Sequence, residues 1–111
     1  MKTLIYIEVL KEAELNFSNK YFQTLCKKFP DHTYFDLDNF SDTKTINSIE
    51  LLLTESTECQ LIINCTSSEA HLQKILSLFK TFKTHQSKIT LQIDGEAHKQ
   101  LDVLKKQLNR N

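Results

Sequence analysis

Leu4, Ile5, Tyr6 and Ile7 follow one another without a polar break, and Val9 and Leu10 resume the run after Glu8. A stretch apolar on both alternating faces is what a parallel strand buried between two layers requires, so residues 3–10 read as a central strand. After a polar stretch, Tyr21, Phe22, Leu25, Cys26 and Phe29 recur at helical spacing. Asn16 or Ser18 can cap the helix they imply, and Pro30 stops it. Residues 32–37 set Tyr34, Phe35 and Leu37 among polar neighbours, the pattern of an edge strand. Ser41 or Asp42 can then cap a second helix whose apolar face is Ile46, Ile49, Leu52 and Leu53 and which ends near Ser56.

The pattern repeats in the second half. Residues 60–66 carry Leu61, Ile62 and Ile63 in succession, a second strand covered on both faces. Thr66 and Glu69 have the spacing of a capping box, and Leu72, Ile75, Leu76, Phe79 and Phe82 form the apolar face of a third helix. Ile89, Leu91 and Ile93 alternate with Lys88, Thr90 and Gln92, which predicts a strand with one buried face at the other sheet edge. Residues 94–96 turn the chain into a last helix striped by Ala97, Leu101, Leu104 and Leu108. Four strands joined by helices imply right-handed crossovers and a parallel sheet. With the two most apolar strands inside, the order is 2-1-3-4, and the chain reads as a single α/β domain over residues 1–111, a three-layer α/β/α sandwich. In this reading the first and fourth helices share one face of the sheet and the second and third share the other.

Composition narrows what such a domain does. Across 111 residues there is one glycine, Gly95, one proline, Pro30, and one arginine, Arg110. Phosphate sites draw on close backbone approach, which glycine permits, and on forked cations, which arginine supplies. Formal net charge is zero, so no overall attraction to nucleic acid or anionic lipid is expected. The charge is uneven along the chain: residues 1–69 hold six lysines against eleven acids, and residues 70–111 hold seven lysines and Arg110 against three acids. That polarity favours head-to-tail self-association, although solvated helix faces of differing sign produce it too. Three cysteines without close pairing, and an N-terminal apolar run too short for a signal peptide, predict a cytoplasmic protein with no membrane segment.

Candidate chemistry is sparse. In an open parallel sheet the ligand crevice lies beyond the strand carboxyl ends where the order reverses, here between the first and third strands. Cys65, just before the predicted third helix and within reach of His71 and His98, is a candidate thiol; a cysteine ending a buried strand also serves as a small core residue. His32, His71, His85 and His98 form no i, i+4 pair and there is no CxxC, so no metal site is predicted. Glu8, Asp36, Asp38, Asp94 and Glu96 sit at strand ends, where paired carboxylates could do acid/base work or simply cap helices and turns. In the third helix Lys74, Lys80 and Lys83 alternate with Phe79 and Phe82 at a spacing that sends the rings to the core, leaving no stacking surface for nucleic acid.

Met1 to Ile7, Ser18 at the start of the first helix, the run Phe35-Asp36-Leu37-Asp38 and the triplet Leu61-Ile62-Ile63 resemble the first three units of flavodoxin-like proteins, especially the flavin-dependent quinone reductases. The resemblance covers residues 1–66. It implies a (βα)4 flavodoxin-like fold and an FMN or FAD cofactor held by the loops after the first and third strands, with Ser18, Asn19, Thr66 and Ser67 as the cofactor-binding candidates. Where that family carries a proline and aromatic stretch against the flavin, this chain has Asn64-Cys65-Thr66-Ser67-Ser68-Glu69. The expectation from the residues themselves is a non-catalytic module without cofactor that binds a protein partner or forms a homo-oligomer; the flavin- or nucleotide-binding oxidoreductase is the alternative.

Overall fold

The computed structural model describes residues 1–13 and 20–108. Strands β1 (Lys2–Val9), β2 (Thr33–Asp38), β3 (Glu58–Cys65) and β4 (Ile89–Gly95) alternate with helices α1 (Lys20–Lys28), α2 (Thr43–Glu55), α3 (Leu76–Thr84) and α4 (Lys99–Leu108). Every strand pair is parallel and the order is β2-β1-β3-β4, as the apolar runs predict. Leu4, Ile5, Tyr6, Ile7, Leu61, Ile62 and Ile63 are all buried, which only the two inner positions allow.

The register sorts side chains onto two faces. Phe35, Ile5, Leu61 and Leu91 form one row, and Leu37, Ile7, Ile63 and Ile93 the next. These pack against Ile49 and Leu53 of α2, Leu78 and Phe82 of α3, and Leu101 and Leu104 of α4 in one core. The opposite face carries Leu4, Tyr6 and Ile62, covered by Leu25, Tyr21 and Phe22 of α1. The domain therefore has three layers, but α1 stands alone on its side and α4 joins α2 and α3. That overturns the expected pairing of the first and fourth helices. The cause lies in β4, whose single apolar face of Ile89, Leu91 and Ile93 is turned by the register toward α2 and α3. A helix with a Leu101/Leu104 stripe gains about 2 kcal/mol per buried leucine only by covering that face. On the other face Thr90 and Gln92 are left exposed.

Local signals explain most boundaries. Asp42 caps α2, its carboxylate accepting from the Thr45 N–H at 2.7 Å, which holds the Asp42 carboxyl below the usual range. At the other end the Lys88 ammonium lies 2.9 Å from the Leu53 carbonyl, where helix C-termini favour cations. The expected cap of the first helix, Asn16 or Ser18, lies outside the described residues. The predicted capping box of the third helix is not formed. Thr66 binds back to β1, Glu69 pairs with Lys11 at 2.7 Å, and helical structure starts only with a 3₁₀ turn at Gln73–Ile75. That turn has three residues per turn rather than 3.6, so the buried stripe shifts phase. Leu78 goes to the core and Leu76 to the surface.

Candidate functional site

Val9 and Cys65, at the carboxyl ends of β1 and β3, are register partners at the point where strand order reverses. The chain following β1 is tied down by Asn39, which leaves β2 and is 2% exposed. Its Oδ1 accepts from the Leu10 N–H at 2.8 Å, and its Nδ2 donates to the carbonyls of Leu10 and His71, both at 2.8 Å. One amide thus satisfies main-chain groups from two loops that would otherwise frame the crevice. Burial leaves the Leu10 N–H and carbonyl no water to bond, so the clamp supplies their partners.

Thr66 reinforces the closure. Both its N–H and its hydroxyl donate to the Val9 carbonyl, at 2.9 and 2.8 Å. The Ser67 hydroxyl accepts from the Glu69 N–H at 3.2 Å, and the Ser67 carbonyl accepts from the Cys65 thiol at 3.2 Å. Glu96 turns back to accept the Ser68 N–H at 2.7 Å, while its own N–H donates to the Cys65 carbonyl at 2.8 Å. Thr66 and Ser67 are therefore brought to the crevice, but Thr66 offers no donor to a phosphate there. Ser18 and Asn19 lie outside the described residues. Lys11, beside Thr66 and Ser67 at an open depression of about 320 Å³, is paired with Glu69. Of the described half of the flavin-binding set, Thr66 is committed to β1 and Ser67 accepts from Glu69.

The thiol reading of Cys65 meets the same obstacle. Its side chain is 1% exposed, and burial pushes the thiol above its ordinary range, the opposite of what a nucleophile needs. His98, the histidine expected nearby, is spent structurally. A carbonyl can only accept, so Nε2 carries the proton donated to the Ala70 carbonyl at 2.8 Å, and Nδ1 accepts from the Gln100 N–H at 3.2 Å. His71 is exposed and contributes its carbonyl to Asn39.

The carboxylates do converge. Asp38, Glu8, Asn64 and Asp94 are consecutive register partners across all four strands, forming one row on the α1 face at the carboxyl edge, with neighbours about 4.8 Å apart. Asp36 lies one row further in, beside Tyr6, and Glu96 belongs to the loop contact above. Asp38 closes a turn by accepting the Phe40 N–H at 2.7 Å. Asp94 accepts from the Tyr21 hydroxyl and from Gln92 Nε2. Partial burial and the Asp94 carboxylate together drive the Tyr21 phenol well above its ordinary pKa. A row of acids repels phosphate and favours a cationic or hydrogen-bond-donating neighbour.

Among the described residues, no group of His, Cys, Asp and Glu is arranged to hold a metal ion, and no helix is long and apolar enough to cross a membrane. Comparison with protein-family models, curated proteins and solved structures gave no match. The strand order alone puts Asn39 beside the crevice, together with Asp36, Asp38 and residues 94–98, but does not show its bonds to Leu10 and His71. The Tyr21–Asp94 contact is what residue-by-residue reading missed, because Tyr21 looks like core until α4 is placed on the far side of the sheet.

Proposed function

We propose that this protein is a non-catalytic, cytoplasmic α/β domain that works by associating with protein surfaces, through a partner or through its own copies. The observation that carries the reading is the Asn39 clamp, which spends the polar groups at the switch point on the fold itself. The acid row beside it is unsuited to a nucleotide or flavin phosphate. Buried, separate Cys59 and Cys65 fit a reducing compartment. Binding then falls to surfaces rather than to a cleft, and the sheet face beside α1 offers exposed Thr90 and Gln92 with no described helix over β4.

Two measurements test this together. Size-exclusion chromatography with light scattering and a pull-down from native lysate should find an oligomer or a specific protein partner. Titration with FMN and FAD, followed by flavin fluorescence and thermal shift, should find no binding. A strict monomer without a partner, or a saturable flavin shift, overturns the reading.

A further inference from the structure

The two edges of the sheet differ in how they meet solvent. β2 carries Asp36, exposed, and Asp38, so a second strand approaching it meets acids. β4 runs Ile89, Thr90, Leu91, Gln92, Ile93 before its one charge, Asp94, whose carboxylate accepts from Tyr21 and Gln92, so its first five positions lack the charge or proline that discourages edge pairing. The Glu96 N–H donates to the Cys65 carbonyl, and Cys65 is the register partner of Gly95. In a parallel ladder this makes Cys65 the bonding member of the pair and turns the N–H and C=O of Gly95 outward. By alternation the main-chain groups of Leu91 and Ile93 and the Ile89 carbonyl also point outward, while the Ile89 N–H donates to the Gln86 carbonyl.

We propose that the chain dimerises by antiparallel pairing of β4 with β4 of a second copy, on a two-fold axis at Leu91. This deepens the self-association branch of the function proposed above and rests on it. The sequence is symmetric about that centre: Leu91 meets Leu91, Ile89 meets Ile93, and Thr90 meets Gln92. The residues that pair directly are the ones whose main-chain groups face out, and with the Ile89 N–H bonded to Gln86 the register forms about four inter-chain bonds. An isologous pairing of this kind closes, leaving the acid-bearing β2 edges at both ends of an eight-stranded sheet and no route to a fibre.

Sedimentation velocity from about 1 µM to about 1 mM covers the range in which a small interface associates. The wild-type chain is expected to pass from monomer to dimer. Thr90→Lys with Gln92→Lys alters two exposed side chains without touching the core, sets lysine opposite lysine, and should weaken the dimer at least about tenfold. Thr90→Glu with Gln92→Glu should do the same, and mixing the two variants should restore a one-to-one heterodimer. A dimer indifferent to both variants overturns the β4 assignment but leaves self-association standing. A monomer throughout overturns this proposal, and the function then depends on the pull-down.

Discussion

Replacing Asn39 tests the closure of the switch point directly. Asn39→Ala removes three hydrogen bonds of 2.8 Å and strands the buried Leu10 N–H and carbonyl together with the His71 carbonyl. At about 1 kcal/mol per bond the loss is about 3 kcal/mol, with water entering from the loop side repaying only part of the desolvation of the stranded groups. With a urea m-value of about 1.5 kcal/mol/M, the unfolding midpoint falls by about 2 M while the slope stays the same. Asn39→Asp separates geometry from chemistry. It keeps an acceptor for Leu10, loses both donors, and sets a carboxylate against two carbonyls next to Asp38. At neutral pH it should be less stable than the alanine variant. An acid held there has its folded pKa raised, so this deficit shrinks as pH falls and the carboxyl regains an O–H to donate. The wild-type response has the opposite sign, because Asp31, Asp42 and Glu69 titrate below their ordinary range and their stabilisation is lost as pH falls through it. A midpoint shift under about 0.5 M for Asn39→Ala at constant slope, or an aspartate variant no worse than alanine at neutral pH, refutes the clamp.

Gly95 has φ of 90°, and a Cβ there would stand 2.1 Å from the Cys65 carbonyl oxygen, so Gly95→Ala should cost about 3 kcal/mol or more in urea unfolding. Tyr21→Phe should lower the melting temperature near neutral pH and flatten the alkaline limb above about pH 10. The sign follows from the raised phenol: its stabilisation is complete below the unfolded pKa and is lost as pH rises toward the folded one, so thermal scans of both proteins across that range decide the point.

Strand order is legible because apolarity on both faces marks Leu4 to Ile7 and Leu61 to Ile63 as inner strands, and of the two orders that put them inside, 2-1-3-4 keeps sequential strands adjacent. The side chosen by α4 is not. It depends on which way β4 presents Ile89, Leu91 and Ile93, and β3, apolar on both faces, accepts either parity. In the α3 stripe Leu72, Ile75, Phe79 and Phe82 reach the core as expected, and only Leu76 gives way to Leu78: the 3₁₀ turn changes the angular step there, and nothing in Gln73-Lys74-Ile75 marks it. At the crevice, the residue types were visible at strand ends, and the acids do align in one row. What each hydroxyl and amide bonds to depends on long-range pairing, which places Asn39 beside Leu10 and Thr66 beside Val9.

A buried polar group left waiting for a ligand makes folding answer to concentration, because whatever binds only the native state adds stability by mass action. Asn39 removes that dependence for Leu10 and His71. Their partner belongs to the same chain, so their satisfaction is intramolecular and independent of dilution. The clamp therefore fixes the Leu10 and His71 main-chain groups by sequence rather than by supply.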